Sequence, residues 1–323
     1  MKALAMSDLP TSIRIHEEGP REGFQIEPGP IATSRKIEFI EALAETGLTQ
    51  IDCVSFVNPQ KVPGMADAEE VIRSVRRKAG VRYTGLWLNT KGLMRALETP
   101  VDVVGSIRVT ASETFCIKNT GMNHEQTLNE QRRWLDIYRE RNVLVEWGYV
   151  MTAFGCNFEG FISTERVCLM VEQLLALASE AGVKLKGVYL ADTVGWGTPQ
   201  AMEQKLGAVR ERWPDLALAL HLHDTRGTGL ANAYAALRMG VAQFDTTCAG
   251  LGGCPFAGHK GAAGNICTED LVFMCHEMGI QTGLDLERLI ECAHLAEDIV
   301  GHPLPGKVQR AGSLARFRAG SAA

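Results

Sequence analysis

The sequence predicts an α/β protein, a (β/α)₈ TIM barrel with a short C-terminal helical extension. Short runs rich in Val, Ile, Leu and aromatic residues alternate with longer segments of helical periodicity, which is typical of βα units around a parallel sheet. Eight such units can be counted along the 323 residues, and eight units close a barrel. Polar clusters follow several of these runs, at the strand ends where such barrels carry their active sites.

Each predicted strand leads into a helical segment or into a loop that precedes one. In chain order the strands are residues 12–17, 50–56, 81–87, 103–109, 144–153, 186–192, 218–224 and 243–249. Within residues 164–183, apolar side chains recur three and four positions apart, and Gly182 follows the last turn as a stop signal. We expect one domain over residues 1–323, with the barrel at about 12–282, further helices at about 284–310 and a flexible tail.

Composition and charge limit the possible partners. The chain is 46% hydrophobic and 22% charged, and its net charge of -5 gives no general attraction for nucleic acid or an anionic membrane. No apolar stretch is long enough to span a bilayer, and the N-terminus lacks the pattern of a signal peptide. Nine cysteines without a CxxC pair indicate reduced thiols. These features predict a cytoplasmic protein whose partner is a small molecule, with no nucleic acid and no membrane involved.

The strongest local signal is His221-Leu222-His223 at the predicted end of the seventh strand. Residues two apart on a strand point to the same side, so both imidazoles can bind one ion. Two histidines satisfied by protein hydrogen bonds are the alternative, and each further ligand favours the metal. Asp224 follows directly and could orient a ligand through a hydrogen bond.

Two more polar clusters follow the first and eighth strands. Arg21 and Glu22 come after the first, where a carboxylate could complete a metal site and a guanidinium could hold a developing enolate. An ordinary charged turn is the alternative. The glycine-rich segment 249–265 places Cys254 on a loop that could deliver a proton after closing, although an incidental cysteine fits equally well. Strands one, seven and eight are neighbours in a closed barrel, so the three clusters would meet at one mouth.

Ordered motifs over nearly the whole chain resemble the hydroxymethylglutaryl-CoA lyase family and, more distantly, the metallolyase group that includes isopropylmalate and homocitrate synthases. They are GPREGFQ (19–25), SFVNPQKVPGMAD (55–67), GCNFEG (155–160), ADTVGWGTP (191–199), HLHDTRGTGLAN (221–232), AGLGGCP (249–255), GAAGN (261–265) and TEDLV (268–272). The resemblance implies a carbon–carbon lyase that splits a 3-hydroxy-3-methylglutaryl-CoA-like substrate into acetyl-CoA and acetoacetate by a retro-Claisen reaction, as in leucine degradation. It also implies an acyl-CoA partner and a homo-oligomer, either a dimer or a tetramer.

The resemblance further implies a divalent cation, Mg²⁺ or Mn²⁺, bound to the substrate's 3-hydroxyl and distal carboxylate. Its ligands would be Glu22, His221, His223 and Asn265. Arg21 would stabilise the departing enolate, and Cys254 would protonate it. Glu22 is favoured over His221 as the base, because a metal-bound imidazole retains little basicity.

Other residues are given supporting roles by the same resemblance. Asp52 and Asp192 match acidic positions and would support the site or transfer protons. Substrate contacts are implied for Arg21, Ser55, Asn89 and Lys260. At Lys260, a contact with the CoA phosphates or a carboxylate and a solvated loop tip both remain open.

Three departures from the family's pattern concern the substrate. Glu22 stands where the lyases usually carry Asp, although the synthases use Arg-Glu-Gly. The loop between Cys254 and Asn265 is longer than usual because it contains His259 and Lys260. Trp147 stands where the lyases commonly have an arginine before Gly-Tyr-Val, which removes a charge that could hold a carboxylate. A lyase for another branched 3-hydroxyacyl-CoA, a Claisen-condensing acyltransferase of the synthase type and a barrel without activity therefore remain as alternatives.

Overall fold

The computed structural model describes residues 9–253 and 264–320. Its main sheet contains eight parallel strands: β1 (Arg14–Glu17), β2 (Gln50–Ser55), β3 (Arg82–Leu86), β4 (Gly105–Thr110), β5 (Val145–Met151), β6 (Gly187–Asp192), β7 (Ala217–Leu222) and β8 (Gln243–Thr246). Each strand overlaps one of the predicted apolar runs. They pair in the order β3-β2-β1-β8-β7-β6-β5-β4. Because the first strand pairs with the last, the sheet curls into a barrel, and the predicted fold class is confirmed.

Helices follow the strands and pack apolar faces against the sheet. They are Phe24–Ile26, Thr33–Ala44, Ala68–Ser74, Thr90–Leu97, Glu113–Thr120, His124–Glu140, Thr164–Glu180, Pro199–Arg212, Gly229–Arg238, Thr268–Glu277, Leu286–Val300, Val308–Ala311 and Ala315–Gly320. Gly182 adopts a φ of 70° just after the helix Thr164–Glu180, as its predicted role as a stop signal requires. A small hairpin of Gly155–Cys156 and Gly160–Phe161 follows β5. None of the described helices combines the length and the apolar character needed to cross a membrane.

The C-terminal extension belongs to the outer layer of the barrel. The helix Leu286–Val300 contacts the helix Thr33–Ala44 on one side and the helix Thr268–Glu277 on the other. Its buried face carries Leu289 and Ala293, both fully shielded from solvent. The extension therefore closes the ring between the first and the last barrel helices, while the domain limits expected at the chain ends stay a prediction.

The cysteines are packing residues throughout the described part of the chain. All eight cysteines there are free and buried, which agrees with the expectation of reduced thiols. Among them, Cys168, Cys275 and Cys292 sit in helices and face the core.

The barrel has a seam between β3 and β4, because no ladder joins these two strands within the described residues. A single residue bridges part of the seam. The backbone N–H of Asp102 donates to the Tyr83 carbonyl at 2.8 Å, and the Tyr83 N–H donates to Asp102 Oδ2 at 2.7 Å. The Asp102 side chain thus replaces the acceptor that a neighbouring strand would provide.

Candidate active site

A tight turn over Gly19–Gly23 follows β1 and buries Arg21 and Glu22 at the barrel mouth. Three carboxylates surround the Arg21 guanidinium. Nε donates to Asp52 Oδ2 at 2.9 Å, Nη1 lies 2.9 Å from Glu22 Oε2, and Nη2 pairs with Glu18. Burial alone would lower the pKa of Arg21, but the three carboxylates raise it above its ordinary value. Arg21 is therefore a permanent cation held in one orientation.

Glu22, His221 and His223 form a cluster whose nearest ligand atoms lie within 4.8 Å of one another. His223 Nε2 is 2.9 Å from Glu22 Oε1, and His221 Nε2 is 3.7 Å from Glu22 Oε2. Burial would raise the pKa of Glu22, but Arg21 and the two imidazoles hold it well below its usual range. The cluster is therefore built around an ionised carboxylate.

The backbone determines which nitrogen of His223 faces the cluster. Its Nδ1 donates to the Thr193 carbonyl at 2.5 Å, which leaves the lone pair of a neutral imidazole on Nε2. That lone pair faces a carboxylate oxygen of Glu22 at 2.9 Å. Two lone pairs at this distance repel each other unless a proton or a cation lies between them. The two side chains can therefore share a proton or bind one cation together.

Asn265 lies next to this cluster, with its backbone in an antiparallel bridge to His223. It is 1% exposed, and neither its side-chain oxygen nor its nitrogen has a hydrogen-bond partner among the described residues. A buried amide without partners costs about 1–3 kcal/mol for each polar group, which points to a ligand. A Cβ atom placed on Gly252 would lie 3.1 Å from Glu22 Cγ and 3.3 Å from Asn265 Nδ2, so these side chains border one space. The carboxylate, the amide oxygen and the two imidazoles suit a divalent cation.

His221 is oriented from behind by two further acids. Its Nδ1 lies 3.3 Å from Asp245 Oδ2 and 3.7 Å from Glu18 Oε2. Burial would lower the pKa of His221, but Glu22, Asp245 and Glu18 raise it to about 9. A carboxylate behind a ligating histidine fixes the ring and strengthens it as a donor.

A cavity of about 240 Å³ runs from this cluster into the barrel. The rings of Tyr149 and Tyr189 stack at 4.4 Å on one wall, and Trp147 packs edge-on against Tyr189 at 5.1 Å. Aromatic surface therefore occupies the position at which the resemblance places an arginine. On β4, Arg108 also lines the cavity.

The two predicted aspartates take different places. Asp52 lines the cavity, where it accepts hydrogen bonds from Arg21 and from Thr84 Oγ1 at 3.1 Å. Asp192 is fully buried, and it accepts the backbone N–H groups of Trp196 at 2.7 Å and Gly197 at 2.9 Å. Asp192 thus shapes the loop after β6, and its role in proton transfer stays a prediction.

Two of the predicted substrate contacts make hydrogen bonds within the protein. Ser55 Oγ donates to Gln25 Oε1 at 2.8 Å, and Asn89 Oδ1 accepts the Gly92 N–H at 2.9 Å as a helix cap. Neither Ser55 nor Asn89 lines the cavity. Cys254 and Lys260 lie outside the described residues. The substrate and proton-transfer roles assigned to these four residues stay predictions.

Sequence reasoning missed Glu18, Asp245 and His16 in the barrel interior. Glu18 and Asp245 support His221. His16 Nδ1 lies 3.1 Å from the Tyr189 hydroxyl and 3.5 Å from Asp245 Oδ1, and it lines the cavity. The available signal was the alternation along β1, which sends His16 and Glu18 to the same side.

Several known proteins are similar to this chain in sequence and in fold. The family model described as HMGL-like matches residues 12–296. The cytoplasmic 3-hydroxy-3-methylglutaryl-CoA lyase of Rattus norvegicus is 39% identical over 319 residues, which cover 98% of this chain and 89% of that protein. A solved HMG-CoA lyase from Bacillus subtilis has a TM-score of 0.86 at 37% identity, covering 94% of this chain and 98% of the other. An HMG-CoA lyase from Acinetobacter baumannii, solved with coenzyme A and 3-methylmalate, has a TM-score of 0.84 at 37% identity, covering 97% and 98%.

Proposed function

The chain belongs to the HMGL-like family, and we propose that it cleaves 3-hydroxy-3-methylglutaryl-CoA to acetyl-CoA and acetoacetate by a retro-Claisen reaction. It is a carbon–carbon lyase. The observation that carries the proposal is the cluster of Glu22, His221 and His223, with Arg21 at the same mouth. Asn265 lies beside the cluster, and its side chain has no hydrogen-bond partner in the described part of the chain. One arrangement thus supplies ligands for a cation, an ionised carboxylate and a fixed guanidinium.

Glu22, His221, His223 and Asn265 would hold a divalent cation, Mg²⁺ or Mn²⁺. When bound, such an ion supplies a Lewis acid that makes an alcohol more acidic and orients it. Two features support this assignment: the Asn265 oxygen lacks a partner within residues 9–253 and 264–320, and Nε2 of His223 faces the cluster.

The side chains then divide the reaction between them. Glu22, which is ionised, accepts the proton of the 3-hydroxyl while the bond between C2 and C3 breaks and the C3 carbonyl forms. The electron pair passes to C2 and the thioester as an enolate. Protonation of C2 gives acetyl-CoA, and Cys254 is the proposed proton donor.

Arg21 is suited to stabilising the enolate. A guanidinium has five N–H groups, and contacts with Asp52, Glu22 and Glu18 use only part of them. The remaining N–H groups can face a thioester oxygen without any movement of the cation. Fixed positive charge in a site shielded from water stabilises a developing anion most effectively.

Further aspects of the proposal rest on the relatives. Coenzyme A in the Acinetobacter baumannii structure supports an acyl-CoA substrate. The cytoplasmic relative from rat supports action in the cytoplasm, and a lyase of this kind would act in leucine degradation. A homo-oligomer, dimer or tetramer, remains part of the proposal.

A second candidate is a lyase for another branched 3-hydroxyacyl-CoA. Trp147 and the stacked pair Tyr149 and Tyr189 reduce the space available for the acyl group. A different branch at C3 would meet these rings directly. The chemistry at Glu22 and Arg21 would be unchanged.

The proposal is tested by incubating the purified full chain with Mg²⁺ or Mn²⁺ and 3-hydroxy-3-methylglutaryl-CoA, with acetyl-CoA and acetoacetate followed by mass spectrometry. We expect cleavage that stops on chelation and returns with metal. His221→Ala should abolish it, and near-normal turnover in that variant would refute the metal assignment. If the intact protein gives no product here but cleaves another member of a panel of branched 3-hydroxyacyl-CoA thioesters, the second candidate is correct.

A further inference from the structure

Three arginines among the described residues line the barrel cavity, and they differ in how their positive charge is stabilised. Arg21 is surrounded by three carboxylates. Arg82, at the start of β3, is exposed to water. Arg108, in the middle of β4, is partly buried, its Nε is shielded from solvent, and none of the described carboxylates contacts it.

The hydrogen bonds of Arg108 are few and weak for a guanidinium in this environment. Nη2 donates to Ser106 Oγ at 3.3 Å, and Nε has no partner among the described residues. Burial lowers the pKa of Arg108, and the charges of Tyr138, Tyr149 and Asp52 oppose only part of that effect. A partly buried cation without a counter-ion among the described residues is costly, and an anion bound against it from the cavity would reduce that cost.

Aromatic rings account for part of the Arg108 environment. Its guanidinium carbon lies 5.5 Å from the centre of the Trp134 ring and 5.9 Å from that of Tyr149. Such contacts orient a planar cation over the face of the ring. They supply no acceptor for the N–H groups, so they position the guanidinium without satisfying it.

The strand order places this cation across the cavity from the metal-ligand cluster. Going round the barrel, β4 lies opposite β8, and the cluster is carried by β1, β7 and the segment after β8. The same cavity borders His221 on one wall and Arg108 on the other. A ligand that fills it can therefore present one polar group to the cluster and an anionic group to the opposite wall.

We propose that Arg108 binds the distal carboxylate of the acyl group and so selects substrates derived from dicarboxylic acids. This inference rests on the proposed function, because it takes the thioester and the 3-hydroxyl to lie at the cluster. It differs from the expectation that the cation holds the distal carboxylate. The planar guanidinium can donate two parallel hydrogen bonds to a carboxylate, which a point charge cannot do.

The first experiment measures binding rather than turnover. Glutaryl-CoA and butyryl-CoA differ by one distal carboxylate, and neither has the 3-hydroxyl needed for cleavage. With Mg²⁺ present, calorimetry should show that the intact protein prefers glutaryl-CoA by about 10- to 100-fold, as expected for a hydrogen-bonded charge pair. Arg108→Gln should remove that preference while leaving butyryl-CoA affinity unchanged.

Two further variants make the result interpretable. Arg82→Gln is the matched control, because it removes a solvated arginine from the same cavity and should leave the preference intact. Arg108→Lys keeps the positive charge but loses the two parallel N–H donors of the guanidinium. Its preference for glutaryl-CoA should therefore fall between those of the wild type and Arg108→Gln. If Arg108→Gln does not fold, an unreduced preference in Arg108→Lys overturns the inference. A full preference in folded Arg108→Gln also overturns it.

Turnover separates failure of this inference from failure of the proposed function. Cleavage of 3-hydroxy-3-methylglutaryl-CoA is compared with that of 3-hydroxy-3-methylbutyryl-CoA, which lacks the distal carboxylate. Arg108→Gln should lower kcat/KM about 10- to 100-fold for the first thioester only. If Arg108→Gln lowers kcat/KM equally for both thioesters, or for neither, the role of Arg108 is contradicted while the lyase activity stands. If the wild type cleaves neither thioester but still prefers glutaryl-CoA to butyryl-CoA in binding, only the lyase proposal is contradicted.

Discussion

Arg21 organises the mouth of the barrel because it neutralises carboxylates that would otherwise repel one another. Glu18, Glu22 and Asp52 all approach it, and all four side chains are largely shielded from water. Without the guanidinium, three buried carboxylates would share one site. Arg21 therefore has a role in folding that is distinct from its proposed role in catalysis.

Replacing Arg21 should separate these two roles. We expect Arg21→Gln to lower the free energy of unfolding by about 3–5 kcal/mol, since it leaves buried charges unpaired. Arg21→Lys should retain much of the stability, yet lower kcat on the order of 100-fold because the fixed donors are lost. Urea denaturation and steady-state kinetics measure the two effects. Equal stability of the two variants would show that the charge of Arg21 has no structural role.

Asp245 supports His221, so its replacement should affect metal binding more than folding. In Asp245→Asn the acceptor behind Nδ1 becomes a neutral amide, and we expect Mn²⁺ affinity to fall by about 10- to 100-fold. Asp224→Asn is the control, because Asp224 follows His223 in the chain but accepts the Gly229 N–H at 2.7 Å at the start of the helix Gly229–Arg238. Electron paramagnetic resonance of bound Mn²⁺ measures both. A larger effect in Asp224→Asn would reverse the assignment.

At the scale of elements, the turn Cys248–Gly250 connects β8 to the loop of the active site. Ala249 adopts a φ of 60°, which is unfavourable for a residue with a side chain, and its N–H donates to Glu269 Oε2 at 2.9 Å. The other oxygen of Glu269 is buried without a partner in the described structure. Burial raises the pKa of Glu269 to about 8, so the protonated acid holds the turn at neutral pH.

Glu269 should therefore make stability depend on pH. The unfolded chain releases this proton near pH 4.5 and the folded chain near pH 8, so the folded state loses stability as the pH rises between these values. Glu269→Gln should remove a slope of up to about 1.4 kcal/mol per pH unit. Unfolding in urea from pH 5 to pH 9 measures the difference between the two proteins. Parallel curves would mean that Glu269 is ionised in the folded state.

The elements also show what the sequence could and could not predict. Apolar runs located all eight strands, and the histidine pair was found because its spacing has few other uses. Glu18 and Arg108 were missed because alternation along a strand marks two faces without saying which one faces a cavity. Trp147 stands out in the sequence because it replaces an arginine of the family's pattern. Arg108 on the neighbouring strand matches no motif, and an isolated arginine in a strand resembles a surface residue.

At the scale of the whole molecule, the barrel combines a polar cavity with an interrupted sheet. Trp87, just after β3, packs edge-on against Trp134 and Tyr138 of the helix that contacts β4, and Trp87 Nε1 donates to the Tyr138 hydroxyl at 3.0 Å. Asp102 supplies the hydrogen bonds to Tyr83 at the start of the seam. Closure between β3 and β4 thus depends on one backbone hydrogen bond and on side chains, in contrast to the backbone ladders that join the other strands.

This dependence predicts that one acceptor at the seam contributes measurably to the stability of the entire barrel. Asp102→Ala leaves the buried N–H of Tyr83 without a partner and should lower the free energy of unfolding by about 1–3 kcal/mol. Asp102→Asn keeps an oxygen at that place and should lose less, although Arg77 loses its charged partner in both variants. Hydrogen exchange at Tyr83 should accelerate only in the alanine variant. Identical exchange and stability in the two would mean that aromatic packing alone closes the seam.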